Sequence, residues 1–188
     1  MTEQVGEPNS RTDQGRGGLR GGWLWGPYSA AALAVAASTF ALDQAHKWWM
    51  LLGFGLRERG RTEILPFLDV VFAKNIGVSY SLFQLDSQTG QIALSLFAAA
   101  VSLALWVWLA RSGTSRLMGV SLGLIIGGAL GNALDRLIVG GVIDYISLHA
   151  FGYYWYIFNI ADAAIVAGVV GLLYDSYVSS RNAAANGS

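Results

Sequence analysis

The sequence predicts an all-α membrane protein with four transmembrane helices. Of its 188 residues, 54% are hydrophobic and only 13% are charged, and the charged share is about half that of an average soluble domain. The charges are also unevenly placed, because long stretches of the chain contain none or one. Stretches of this kind are typical of helices that cross the hydrocarbon layer of a membrane.

Four stretches meet this description. Three carry no charged side chain, namely residues 21–42, 87–110 and 117–134. In the fourth, residues 145–174, Asp162 is the only charged residue. Each is long enough to cross a hydrocarbon core of about 30 Å at about 1.5 Å per residue. A soluble protein with buried helices is the alternative, but these stretches would leave almost no polar face for water. We therefore predict helices at residues 27–46, 91–110, 117–136 and 157–175.

The composition excludes several classes of site. The net charge is zero, which removes the basic surface that nucleic-acid binding needs. Without cysteine, the chain has no disulfide, no thiol nucleophile and no thiolate zinc site. Its two histidines, His46 and His149, are far apart and outside any metal-ligand pattern. We therefore expect no metal, no cofactor and no nucleic-acid partner.

The polar ends and the short loops predict the organisation and orientation. We expect a disordered cytoplasmic tail over residues 1–22, a four-helix domain over 23–178 and a cytoplasmic tail over 179–188. The loop RSGTSR, residues 111–116, places two arginines between helices two and three. The positive-inside rule puts this loop in the cytoplasm, and an even number of helices puts both termini there too.

Four carboxylates then fall near the outer leaflet: Asp43, Asp135, Asp144 and Asp162. A charge near hydrocarbon is costly unless it is paired. Asp43 has Lys47 four residues later, and Asp135 is followed by Arg136, with Asn132 on an adjoining face. These residues are expected to form a scaffold. Asp144 and Asp162 have no basic neighbour in sequence.

Two such carboxylates in a partly dry site predict aspartic-protease chemistry. Because close like charges cannot both ionise, the pair shares one proton, and the charged member activates water while the protonated one polarises a carbonyl. A proton or ion relay is the alternative, although a relay is expected to distribute carboxylates through the bilayer. Helix three also carries Gly119, Gly123, Gly127 and Gly131 at every fourth position, which predicts close helix packing.

Five motifs in order resemble those of one family. They are DQAHK (43–47), KNIGVSYSLF (74–83), GNALDR (131–136), GVIDY (141–145) and FNIADAA (158–164). Together with the four-helix frame, they resemble lipoprotein signal peptidase, or signal peptidase II, over residues 23–175. That family consists of aspartyl endopeptidases of the bacterial inner membrane.

The resemblance implies a function and a set of site residues. The enzyme would remove signal peptides from diacylglyceryl-modified prolipoproteins, cutting before the lipid-modified cysteine. Asp144 and Asp162 would be the catalytic aspartates, and sequence leaves open which is the base. Site-supporting or substrate-binding positions would be Asp43, Lys47, Asn75, Asn132, Asp135, Arg136 and Asn159.

The resemblance also implies a setting. The chain would be a monomer among membrane lipids, with both termini in the cytoplasm and its active site near the outer leaflet. A small β-rich extracytoplasmic element would lie between helices one and two, at the apolar residues 63–83. Residues 137–156 would be a short connection between helices three and four. As an alternative, this connection would act as a mobile cover. Its aromatic residues 153–156 are predicted to form an interfacial belt.

Overall fold

The computed structural model describes residues 22–78, 83–84 and 87–186. Nearly all of the predicted N-terminal tail, residues 1–22, therefore lies outside the described residues. The helices are α1 (Ser29–Trp48, continued by a π-helical turn Trp49–Gly53), α2 (Leu56–Arg59), α3 (Gln88–Ser112), α4 (Arg116–Val139) and α5 (Ile160–Asn186). The strands are β1 (Thr62–Leu65), β2 (Leu68–Asn75), β3 (Gly77–Val78), β4 (Phe83–Gln84), β5 (Val142–Ala150) and β6 (Tyr153–Phe158).

Helix α4 is the centre of the bundle and packs against α1, α3 and α5. Its glycines make this possible. A Cβ atom added to Gly123 or Gly127 would lie 2.7 Å from Ala32 O or 2.5 Å from Ala36 O of α1. The predicted glycine face is thus the surface on which the α1 backbone lies, with no room for side chains.

Within the described residues, three helices are long and apolar enough to cross a membrane: α3, α4 and α5. Helix α1 is formed close to its predicted position, but it is not among these three. Its last two turns carry the polar residues Asp43, Gln44 and Lys47, and all three are buried inside the protein. These polar residues make the composition of α1 less apolar than that of the other long helices.

The main sheet differs from the predicted β element. Its four strands are antiparallel in the order β1-β2-β5-β6. Strands β1 and β2 follow α1, as expected, but β5 and β6 come from the segment between α4 and α5. The fold is therefore mostly helical with a small antiparallel sheet, and residues 137–156 are largely strand rather than a simple connection.

Local sequence explains this hairpin. Strand β6, YYWYIF, is aromatic and β-branched, a composition that suits a pleated surface. The turn between β5 and β6 places Phe151 and Gly152 at φ values of 52° and 81°, which matches the twist of a tight hairpin. Because β6 uses residues up to Phe158, α5 begins at Ile160 instead of the predicted 157. It then continues to Asn186, past the predicted end at 175.

An apolar cluster joins the sheet to the end of α1. Its buried members are Met50, Leu56, Val70, Ile143 and Tyr145. The Tyr145 ring also stacks on His46 of α1, with ring centroids 5.1 Å apart. This packing anchors β5 against the helices, so the residue before Tyr145, Asp144, is held at the junction between sheet and bundle.

Candidate active site

The two predicted catalytic carboxylates meet at one asparagine. Asp144 lies on β5 and Asp162 in the first turn of α5. Asn159 Nδ2 donates to Asp144 Oδ1 at 2.6 Å, and Asn159 N donates to Asp162 Oδ2 at 3.2 Å. Asn159 itself is fully buried. One residue, through its side-chain amide and its backbone N–H, therefore fixes the relative position of both acids.

The same asparagine starts helix α5. Asp162 N donates to Asn159 Oδ1 at 3.0 Å, and Asp162 Oδ2 accepts from Asn159 N. This reciprocal pair is a capping box, in which the residue before a helix and the third helical residue satisfy each other's free backbone groups. The sequence Asn-Ile-Ala-Asp thus positions Asp162 through local helix-capping chemistry.

Two further asparagines donate hydrogen bonds to the remaining carboxylate oxygen of each acid. Asn132 Nδ2 of α4 donates to Asp162 Oδ1 at 2.8 Å. Asn75 Nδ2, at the end of β2, donates to Asp144 Oδ2 at 3.2 Å. Every carboxylate oxygen of the pair therefore has an amide donor, and amide donors orient a carboxylate without neutralising it.

Behind the acids lies a buried charge cluster between α1 and α4. Lys47 Nζ lies 2.8 Å from Asp43 Oδ2, 2.7 Å from Asp135 Oδ2 and 2.9 Å from Asn132 Oδ1. All three ammonium hydrogens therefore have acceptors. Because Asn132 also contacts Asp162, the cluster is connected to the pair of acids by a single side chain.

Backbone amides complete the cluster. Ala161 N donates to Asp43 Oδ1 at 3.0 Å, and Ile143 N donates to Asp135 Oδ2 at 3.2 Å. These donors lie next to Asp162 and Asp144 in sequence. The cluster thus ties α1 and α4 to the two segments that carry the acids.

Burial and like charge act together on Asp144. The side chain is 2% exposed, and desolvation followed by the charge of Asp162 raises its pKa from 3.8 to about 7. The amide bonds from Asn75 and Asn159 oppose this shift. Near neutral pH, therefore, one proton is readily kept on the pair, as acid-base chemistry with two carboxylates requires.

A cleft of about 740 Å³ opens beside Asp162. Asn75, Asn132, Arg136 and Asp162 supply its polar groups. Its apolar wall comes mainly from α5 and β6 and includes Phe158, Ala163, Ile165, Val166 and Ala167. An apolar cleft with a few convergent polar groups is the usual form of a ligand site.

Arg136 lies on the wall of this cleft. Its Nη1 donates to Asn132 O at 3.2 Å and its Nη2 to Gly77 O at 3.4 Å. The buried Nε has no hydrogen-bond partner within the described part of the chain. The guanidinium therefore lines the cleft while one of its donors stays buried in the wall.

The structure brings all nine predicted site residues into one connected hydrogen-bond network. Sequence reasoning missed two members. Gln44 Nε2 donates to Asp43 Oδ2, Gly131 O and Asp135 Oδ1 at 2.9–3.2 Å. Tyr156 Oη accepts from Asn75 Nδ2 at 2.6 Å. Gln44 stands inside the DQAHK motif, which is a usable signal, whereas Tyr156 is one of several adjacent aromatic residues and carries none.

The sequence matches a family model and several named relatives. Residues 35–178 match the family model for signal peptidase (SPase) II. A lipoprotein signal peptidase of Methylocella silvestris is 50% identical over 155 residues, which cover 81% of this chain and 89% of the relative. A lipoprotein signal peptidase of Nitrobacter hamburgensis is 45% identical over 163 residues, covering 85% of this chain and 98% of the relative.

The fold also has a counterpart among solved structures. A structure of a bacterial membrane enzyme is 25% identical to this chain, with a TM-score of 0.69 over 81% of this chain and 91% of the other. The range matched by the family model, residues 35–178, contains all five motifs. The chain therefore belongs to the signal peptidase II family of proteases.

Proposed function

We propose that this protein is an aspartic endopeptidase that removes signal peptides from diacylglyceryl-modified bacterial prolipoproteins, cutting before the lipid-modified cysteine. The observation that supports this best is the pair Asp144 and Asp162, bridged by Asn159 beside an apolar cleft. The named activity of the relatives gives the substrate class. The comparisons lend no support to the alternative of a proton or ion relay.

The chemistry needs only the two carboxylates and water. One ionised aspartate takes a proton from a water whose oxygen attacks the scissile carbonyl carbon. The protonated aspartate donates its proton to the developing oxyanion. As the C–N bond breaks, the proton taken from water passes to the nitrogen of the leaving amine. Because the pKa of Asp144 is raised to about 7, the pair can hold one proton near neutral pH, with one aspartate protonated and the other ionised.

The cleft suits a peptide that carries lipid. Its apolar wall belongs partly to α5, a helix apolar enough to cross the membrane, so lipid chains can stay in hydrocarbon while the peptide meets Asp162. Arg136 lines this cleft, and its guanidinium is proposed to bind a substrate carbonyl. Asn132 and Asn75 line the same cleft and are proposed to support the substrate backbone.

We place the enzyme in the bacterial cytoplasmic membrane as a monomer with α1 as a fourth span. The polar residues of α1 support this, because Asp43, Gln44 and Lys47 face protein and not lipid. The arginines that flank the α3–α4 loop, Arg111 and Arg116, support a cytoplasmic position for this loop and for both termini, and hence a site near the outer leaflet. Single cysteines at residues 113 and 152 of this cysteine-free chain test the orientation. Only the second is expected to react with an impermeant thiol reagent from outside.

The decisive experiment is cleavage of a diacylglyceryl-modified prolipoprotein by purified variants. Asp144→Asn and Asp162→Asn are each expected to lose at least about 10³-fold in kcat, as removal of an essential acid-base group does. Asp175→Asn is the matched control, since this carboxylate contacts Ser115 at the other end of α5. Full activity in either dyad variant contradicts the proposed site.

A further inference from the structure

Two cavities approach the pair of acids from different sides. The cleft of about 740 Å³ reaches Asp162, and a second cavity of about 320 Å³ reaches Asp144. Asn75 and Tyr156 line both. Ala73, Lys74, Ile76 and Ile157 complete the lining of the smaller cavity. Each acid of the pair therefore has its own opening.

Tyr156 lines both openings and is held in place. Asn75 Nδ2 donates both to Tyr156 Oη at 2.6 Å and to Asp144 Oδ2 at 3.2 Å. The orientation of this amide is set from its other end, because Asn75 Oδ1 accepts from Gly77 N at 3.1 Å. The Asn75 amide therefore donates one hydrogen to the Tyr156 phenol and the other to Asp144.

The walls of the two spaces differ in chemistry. The walls of the large cleft are mainly apolar and continue along α5, which is itself apolar enough to cross a membrane. The small cavity is lined by residues of β2, β5 and β6 and by Ile76, and the exposed side chain of Lys74 is among them. A lysine needs water or a polar partner, so the small cavity opens on the polar side of the site.

Hydrolysis requires both spaces at once. Each turnover adds the oxygen of one water to the carbonyl carbon, breaks the C–N bond and moves a proton to the amine nitrogen. A lipid-bearing peptide that fills the large cleft expels water from the side of Asp162. Water must then reach the carbonyl by another path.

We propose that the smaller cavity supplies the attacking water to Asp144 while substrate occupies the large cleft, with Tyr156 as the partition between them. This inference rests on the proposed function, because it assigns a water route to the same site. It places Asp144 beside the incoming water and Asp162 on the side of the substrate.

Because the chain has no cysteine, a single cysteine introduced into the wall of either cavity can be labelled after folding, and the label then fills that cavity. Ala73 lines the small cavity and is the strand partner of Asp144, and Ala163 lines the large cleft. Ala73→Cys and Ala163→Cys are purified and treated with methyl or benzyl methanethiosulfonate. Each labelled protein is compared with the same variant before labelling, in cleavage of a diacylglyceryl-modified prolipoprotein.

Benzyl labelling at position 73 is expected to lower kcat by about tenfold or more and to leave KM within about twofold, because water is excluded while substrate still binds. Methyl labelling there is expected to have a smaller effect. Benzyl labelling at position 163 is expected to raise KM. Ile157→Cys, on the opposite wall of the small cavity, is the second variant if Ala73→Cys does not fold, and the same result is expected.

Two results overturn the inference. A rise in KM after labelling at position 73 means that the small cavity holds substrate, and an unchanged kcat means that it does not carry the water. Failure of the unmodified chain to cleave the prolipoprotein, by contrast, counts against the proposed function itself. The two failures are therefore distinguishable in one set of assays.

Discussion

Lys47 of α1 and Asp135 of α4 form a fully buried ion pair, with Nζ and Oδ2 2.7 Å apart and side chains no more than 2% exposed. Asp43 takes a second bond from the same ammonium at 2.8 Å. One cation therefore compensates two carboxylates, and Gln44 Nε2 donates to both acids as well. The cluster is stable only as a unit, since removing one member leaves charge buried without a partner.

Replacement of the lysine tests this dependence. Lys47→Met is expected to destabilise the protein by about 3–5 kcal/mol, because two buried carboxylates lose their cation. Lys74→Met is the matched control, since Lys74 is the other lysine of the chain and is exposed; a change within about 0.5 kcal/mol is expected there. Thermal unfolding in detergent measures both. Equal unfolding temperatures for the two variants contradict a structural role of the cluster.

The sequence predicts the helices and the site better than it predicts the sheet. Long charge-free stretches identify α3 and α4 because hydrocarbon tolerates few charges. Strands β5 and β6 are not identified in this way, because most of their residues lie within the apolar stretch 145–174. The strand character of β5 depends on pairing with β2, more than sixty residues earlier, and β6 pairs with β5. Short apolar runs are ambiguous between strand and helix until the partner strand is known.

The acids were identifiable because they lack a basic neighbour, whereas their amide partners were not identifiable from charge. Asn75, Asn132 and Asn159 approach Asp144 and Asp162 from three different elements. Their convergence depends on tertiary packing, which a pattern of charges does not encode. The spacing on α4 points to Asn132, whereas only the resemblance in motifs points to Asn75 and Asn159, and Tyr156 lies outside any motif.

The pH dependence of activity is expected to reflect Asp144. Its pKa of about 7 means that the pair keeps a shared proton below that pH and loses it above, when both acids are charged. We therefore expect kcat/KM to fall as pH rises through about 7. The measurement is prolipoprotein cleavage from pH 5 to 9, with Asp175→Asn as a control that leaves this limb unmoved. A kcat/KM that does not fall between pH 7 and 9 contradicts the assignment.

Stability is expected to change over the same interval. Between its ordinary pKa of 3.8 and its folded value of about 7, Asp144 binds a proton in the native state that the unfolded chain has released. The contribution of this group to the free energy of unfolding therefore decreases as pH rises through this window. Asp144→Asn is expected to flatten that part of the profile, measured by chemical denaturation in detergent. A profile as steep as that of the unmodified protein means that other groups cause the slope.

Asn159 combines helix capping with orientation of the acids, and two substitutions separate these roles. Asn159→Ser keeps an oxygen that can accept from the start of α5 but removes the donor to Asp144. It is expected to lose activity and about 1–3 kcal/mol of stability, because buried oxygens of Asp144 and Asn132 lose this donor. Asn159→Ala is expected to lose about 1 kcal/mol in addition. Unfolding and cleavage are measured on both, and an active Asn159→Ser shows that the donor is dispensable.

Gly127 sets how closely α1 approaches α4. A Cβ atom there would lie 2.5 Å from Ala36 O and 2.8 Å from Thr39 Cβ, and the backbone oxygen cannot rotate away as a side chain can. Gly127→Ala must therefore push α1 outward, at a cost of about 1–3 kcal/mol. Because Lys47 lies farther along α1, the same shift is expected to lengthen its bonds to α4 and to lower kcat. Gly22→Ala is the control, since nothing lies within 4 Å of its added Cβ. Unchanged stability and kcat in Gly127→Ala would show that the two helices pack less tightly than this contact requires.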